Sequence, residues 1–196
     1  AIVQVSASYG DSRKHMLVAN TDGVFVTDEQ VRSLVRVTAV ADGDTGMQTG
    51  YQSNGLSKGF EYFREIDIDE MGREASRIAL TKLKARPAPS GAMQVVIKQG
   101  SGGVLFHEAC GHGLEADLVA KGGSVYRGKV GELVASPLVT LVDDGTMTGE
   151  WGAFGYDDEG HPSQYNVLIK DGVLTDYMWD YLRARNEGHA RSGNGR

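Results

Sequence analysis

One short segment holds most of the residues in this chain that could carry metal chemistry. Residues 107–117 read HEACGHGLEAD and include two of the five histidines, the single cysteine and three carboxylates. Neutral imidazoles are nitrogen ligands for Zn²⁺. A glutamate beside the first ligand can take a proton from metal-bound water, whose pKa the ion lowers towards ~7. The pattern His107-Glu108-x-x-x-His112 therefore favours a zinc-dependent hydrolytic site.

The spacing of the two histidines requires a distorted helix. Residues five apart in an ideal α-helix differ by ~140° around the axis, whereas residues four apart differ by ~40°. A single turn with i→i+5 hydrogen bonds returns both imidazoles to one face. Gly111 suits such a turn because it lacks a Cβ atom. We therefore predict a bulge between Ala109 and Gly111, and a regular helix here would argue against a metal site.

Three further residues of the segment have open roles. Glu115 follows His112 by three residues, about 60° round a regular helix. It is a candidate substitute ligand, or a hydrogen-bond acceptor behind a ligand histidine. Asp117 is a candidate for the same role of hydrogen-bond acceptor behind a ligand histidine. Solvent-exposed or capping roles remain open for both Glu115 and Asp117. Cys110 is typical of a small buried residue, with a thiolate nucleophile or a metal ligand as alternatives.

The elements that must position this segment can be predicted from periodicity. The first 60 residues alternate β-like runs with turn signals at 20–23 and 42–44, which predicts an antiparallel meander. Apolar residues recur at helical spacing over 67–85, followed by Pro87, which predicts an amphipathic helix. The apolar run 92–100 predicts a strand.

The histidines then lie on a second helix, from Val104 to about Ala120. Further strands are expected over 138–143 and 164–172, with a last helix around 176–185. The predicted fold class is α+β, with largely antiparallel sheets, an amphipathic helix and a distorted histidine-bearing helix. We expect one part over 1–90 and a metal-helix part over 91–196, or one continuous domain.

Composition excludes several classes of protein. The 196 residues carry a net charge of −6, which argues against a nucleic-acid-binding face. One cysteine excludes an internal disulfide framework. No apolar run approaches the ~20 residues that span a bilayer. We therefore expect a cytoplasmic protein with neither nucleic-acid nor membrane partners.

The motif and its surroundings resemble a known family. The segment HEACGHGLEAD resembles the metal-binding helix of the TldD/PmbA family of metalloproteases. Blocks at 130–147 and 156–174, with the terminal SGNGR, are similar to TldD blocks in the same order. The PmbA (TldE) branch generally lacks the histidine motif, so the resemblance is to the TldD branch.

This resemblance implies a zinc-dependent peptidase acting on unfolded or small polypeptides, with His107 and His112 as metal ligands. Glu108 would be the general base that activates a metal-bound water. Family members take a third ligand from a cysteine far downstream in a C-terminal domain, and this chain has no cysteine after Cys110. We therefore expect a fragment lacking the C-terminal domain, whose incomplete site leaves it metal-free or inactive by itself.

The resemblance also implies a partner, because TldD pairs with a TldE/PmbA-like protein around a shared cleft. A heterodimer is expected, with a homodimer as the alternative. The competing functional hypothesis is a non-catalytic interaction or regulatory module that keeps the fold but lacks a complete metal site.

Overall fold

The computed structural model describes residues 1–100 and 102–195 and divides the chain into two compact units. The first unit comprises Ala1–Lys14, Glu29–Met93 and Thr148–Gly152. The second comprises His15–Asp28, Gln94–Met147 and the chain from Ala153 onwards. Each unit is therefore assembled from separate stretches of sequence.

The long strands of the N-terminal half form a three-stranded sheet in chain order. Its strands are β1 (Ile2–Ala19), β2 (Phe25–Gly43) and β3 (Gly46–Leu56). The antiparallel register of β2 and β3 runs from Ser33 opposite Leu56 to Gly43 opposite Gly46. These strands agree with the predicted meander.

One amphipathic helix packs closely on this sheet. Helix α1 (Ile68–Lys82) begins at the N-cap Asp67, whose side chain accepts a hydrogen bond from the Glu70 backbone. Its Ala75 and Ala79 are fully buried. Gly50 of β3 permits the close approach, because a Cβ there would lie 2.6 Å from the backbone nitrogen of Ala79. The predicted helix and its buried face are confirmed.

The second unit has its own sheet and core. Strands β4 (Leu141–Asp144), β5 (Tyr165–Lys170) and β6 (Val173–Leu174) pair antiparallel in that order. Helix α4 (Tyr181–Glu187) follows, with Asp180 as its N-cap. Apolar residues from β5, β6, the loop that follows β6, the last helix and the histidine segment (residues 102–120) share one core: Leu114, Ala116, Val119, Leu168, Ile169, Leu174, Tyr177, Trp179 and Ala184.

The end of the β1–β2 hairpin packs within this second unit. Val18 and Val24 lie so close to Gly160 that a Cβ on Gly160 would come within 3.1 Å of Val18 Cγ1. Asp28 Oδ2 accepts hydrogen bonds from the backbone nitrogens of Gly155 at 3.0 Å and Tyr156 at 3.2 Å. Residues 15–28 are therefore part of the packing of the second unit.

Several predicted elements differ from those observed. The strand expected over 92–100 is wrong, because this run has no ladder partner among the described residues and Val96 is 98% exposed. An apolar run can form a strand only where a neighbouring strand satisfies its backbone groups. The strand expected over 138–143 begins later, at Leu141. The last helix begins at Tyr181 rather than near 176, because Asp180 is extended and its side chain, as the N-cap, accepts a hydrogen bond from the Arg183 backbone.

No helix in the described part of the chain is both long enough and apolar enough to cross a membrane.

Candidate metal centre

The histidine segment changes helical geometry three times. Helix α2 (Gly102–Phe106) leads into a π-helical turn over His107–Gly111, followed by a 3₁₀ turn over His112–Leu114. After an extended residue at Glu115, helix α3 covers Ala116–Ala120. The single helix expected over 104–120 is therefore interrupted at Glu115, while the predicted bulge is confirmed.

The π turn connects the two histidines directly. The backbone N–H of His112 donates to the carbonyl of His107, an i→i+5 hydrogen bond. The two imidazole centroids lie 4.3 Å apart. The wider turn thus accommodates a spacing of five residues, rather than four, between the histidines. Both rings project from the same side.

His107, Glu108 and His112 form a cluster able to hold a metal ion. Each offers one ligand atom, and these atoms lie within 4.8 Å of one another. Ligand atoms on one tetrahedral zinc are about 3.3 Å apart, so modest side-chain rotations would close the site. All three residues are exposed, which leaves room for water and for a further ligand. The two imidazoles fit Zn²⁺ as nitrogen ligands, and the carboxylate beside them fits the role of a base.

Gly111 makes room for the first imidazole. A Cβ at this position would lie 3.0 Å from His107 Nδ1, closer than side chains normally approach. Its backbone is helical, with φ −56°, so the close approach rather than a left-handed conformation favours glycine here.

His112 lies between two carboxylates. Its Nε2 is 3.8 Å from Glu108 Oε2, and its Nδ1 is 2.7 Å from Glu115 Oε1. Glu115 is thus next to the ring nitrogen that faces away from Glu108. In the described residues, the group of mutually close ligand atoms does not include Glu115, Asp117 or Cys110.

Asp117 has a different partner. Its Oδ2 lies 2.7 Å from Lys121 Nζ, one helical turn away. The hydrogen bond and charge of Lys121 hold the pKa of Asp117 below its usual range, against a smaller opposing effect of burial. The sequence suggested that Asp117 accepts a hydrogen bond from a ligand histidine, and this role stays a prediction.

Cys110 is a free, half-buried thiol. A hydrogen bond with Cys110, together with burial, raises the pKa of Tyr126 to about 12. Tyr126 also packs on Gly113, where a Cβ would lie 3.1 Å from its ring. Sequence reasoning missed Tyr126, since a lone tyrosine in a glycine-rich loop gives no signal of such a contact.

Comparisons with known proteins identify the family to which the chain belongs. A family model for the PmbA/TldA metallopeptidase central domain matches residues 1–83, and one for the C-terminal domain matches residues 90–196. The histidine segment lies inside the second match. The chain is 44% identical over 202 residues to a metalloprotease TldD homolog of Haemophilus influenzae, covering 100% of this chain and 42% of that relative.

Solved structures share the fold. A proposed modulator of DNA gyrase from Bacteroides thetaiotaomicron superposes with a TM-score of 0.84 at 20% identity, covering 99% of this chain and 44% of that one. TldE from Thermococcus kodakarensis superposes with a TM-score of 0.75 at 22% identity, covering 97% and 42%.

The two matched family models describe metallopeptidase domains and together cover nearly the whole chain. It belongs to the PmbA/TldD metallopeptidase family. The chain spans less than half the length of the curated relatives it matches.

Proposed function

We propose that this chain carries the zinc-binding helix of a metallopeptidase that hydrolyses peptide bonds in unfolded or small polypeptides. The observation that carries the proposal is the i→i+5 hydrogen bond between His112 and His107, which brings both imidazoles beside Glu108. The activity belongs to a protein of the relatives' length, of which this chain is a part.

His107 and His112 would hold the ion. Zinc, when bound, acts as a Lewis acid that makes hydroxide available at neutral pH. Glu108 accepts the proton of the attacking water and then delivers it to the departing amine nitrogen. With 64% of its side chain exposed, Glu108 is open to both water and a substrate peptide.

A complete site needs at least one more protein ligand. Catalytic zinc sites use three protein ligands and keep an open position. We propose that a cysteine elsewhere in the longer protein supplies the third, as the family resemblance implies. The 196-residue chain alone would then bind zinc weakly and be inactive.

A second protein also enters the proposal. The solved relative named TldE shares this fold, and we propose a TldE/PmbA-like partner, with a homodimer as the alternative. The net charge of −6 supports the absence of a nucleic-acid partner. We further propose a cytoplasmic location.

The test uses the full-length protein containing this chain. We expect elemental analysis to find zinc, and His112→Ala to lose it. Glu108→Gln should keep the zinc but lower hydrolysis of a fluorescently labelled unfolded protein by about 10²–10⁴-fold, the usual contribution of a general base. Glu132→Gln, an exposed carboxylate elsewhere in the second unit, serves as the control.

A full-length protein that neither binds zinc nor cleaves peptides would favour the non-catalytic interaction module. A full-length protein without zinc, whose peptide cleavage is unchanged by Glu108→Gln and by a chelator, would overturn the metallopeptidase proposal.

A further inference from the structure

We propose that Glu115 is a positioning residue that fixes the ring orientation and proton of His112, so that Nε2 is the nitrogen presented to the metal. The inference rests on the proposed zinc site. It concerns a residue that touches the ligand histidine rather than the ion or the substrate.

The two ring nitrogens of His112 contact different groups and therefore have different roles. Glu115 Oε1 lies 2.7 Å from Nδ1, a strong hydrogen-bond distance. A carboxylate only accepts, so Nδ1 must carry the proton. A neutral imidazole with its proton on Nδ1 has its free lone pair on Nε2. Nε2 is the nitrogen near Glu108, at 3.8 Å from Oε2.

The backbone of Glu115 is firmly held. Glu115 is extended (φ −76°, ψ 125°) and forms a parallel bridge with Met178. Met178 donates to the Leu114 carbonyl at 2.8 Å, and its own carbonyl accepts from Ala116 at 2.9 Å. Leu114 and Ala116 are 0% and 2% exposed, so core residues flank Glu115 on both sides.

This anchoring explains the break after the 3₁₀ turn. A helix continued through Glu115 would give up both hydrogen bonds to Met178 and withdraw Leu114 from the core. The extended residue instead holds the carboxylate against His112, while 37% of its side chain remains exposed. Asp117, two residues on, cannot substitute because its carboxylate pairs with Lys121.

A carboxylate behind a ligand histidine has two chemical effects. It fixes the tautomer and ring orientation, and it raises the basicity of the coordinating nitrogen. Removing such a partner typically lowers metal affinity 10–100-fold. Glutamine retains an acceptor oxygen but not the charge, so it separates the two effects.

The experiment measures zinc affinity and the His112 tautomer in the same variants. Zinc affinity is obtained by competition with a chromophoric chelator in the full-length protein. The tautomer is obtained from side-chain ¹⁵N chemical shifts of the metal-free 196-residue chain, held at a pH where imidazole is neutral. The variants are Glu115→Ala and Glu115→Gln, with Glu132→Gln as the control.

We expect wild-type His112 to carry its proton on Nδ1. Glu115→Ala should lower zinc affinity by about 10–100-fold and mix the two tautomers. Glu115→Gln should keep the proton on Nδ1 and lose less affinity, and Glu132→Gln should match the wild type. If Glu115→Ala does not fold, the glutamine variant tests the proposal, which then requires a measurable loss of affinity.

The possible outcomes distinguish a failure of the role proposed for Glu115 from a failure of the proposed zinc site on which it rests. If zinc binding survives both His107→Ala and His112→Ala, the metal site and the role of Glu115 are overturned together. If those variants lose zinc while the Glu115 variants change neither affinity nor tautomer, only the role of Glu115 is overturned.

Discussion

At the residue scale, the site depends on the absence of a side chain at Gly111. The imidazole of His107 lies so close to Gly111 that a Cβ at position 111 would stand 3.0 Å from its Nδ1. The same residue lies inside the π turn, where the two ligand positions are five residues apart in sequence. One glycine thus serves both the backbone geometry and the fit of the ring.

Gly111→Ala is therefore expected to weaken zinc binding. The added methyl, 3.0 Å from His107 Nδ1, would push the ring off its rotamer. Such a displacement costs about 1 kcal/mol, equivalent to an approximately five-fold loss of affinity. Chelator competition on the full-length protein measures it.

Gly103→Ala is the matched control, because this glycine of α2 has open space around its Cβ position. Equal zinc affinity in the two alanine variants would contradict the role assigned to Gly111.

At the element scale, the histidine segment is a succession of short turns that a regular helix could not replace. The π turn sets the two imidazoles side by side, and the extended Glu115 lets Leu114 enter the core. Tertiary packing rather than helix propensity holds the stretch from Leu114 to Val119, where Leu114, Ala116 and Val119 are buried, since isolated helices of this length are unstable. Helix α2 and the π turn contain no buried residue.

Leu114→Ala tests that dependence on packing. The side chain is 0% exposed, and large-to-small changes at such positions cost about 2–5 kcal/mol. We expect this loss in the free energy of unfolding, measured by urea denaturation of the 196-residue chain. Leu138→Ala, at a leucine that is 95% exposed, should cost far less. Similar losses in both variants would show that Leu114 is not a core anchor.

An element could be predicted from the sequence when residues nearby in the chain determine it. The α+β class and α1 follow from periodicity, and the π turn follows from the spacing of two histidines around a glycine. The break at Glu115 was not predictable, since it depends on hydrogen bonds to Met178, far along the chain. The run 92–100 shows the converse case, an apolar pattern without a pairing partner among the described residues.

At the scale of the whole molecule, stability should depend on pH through a carboxylate outside the metal site. Burial is the main cause that raises the pKa of Glu159, aided by the charges of Asp157 and Asp180. A hydrogen bond from the Tyr181 backbone to Oε2, at 2.7 Å, opposes the shift. A raised folded pKa means that folding favours the protonated form.

The stability that Glu159 contributes is thus fully present below its unfolded pKa of about 4.5 and is lost as pH rises through its higher folded pKa. Glu159→Gln cannot titrate and still offers an acceptor to Tyr181. We expect its stability relative to the wild type to increase as pH rises above about 4.5. Urea unfolding followed by tryptophan fluorescence measures this, and a pH-independent difference would contradict it.

The hairpin end at 15–28 bears on how this molecule can be divided. Val18, Val24 and Asp28 pack on the loop around Gly155 and Gly160, yet they are encoded far upstream of it. A polypeptide cut near residue 90 would separate the histidine helix from these contacts. The two halves, expressed as separate chains, should therefore recover that packing only when they associate, as in fragment complementation. A gene split at this point would not encode two independent folding units.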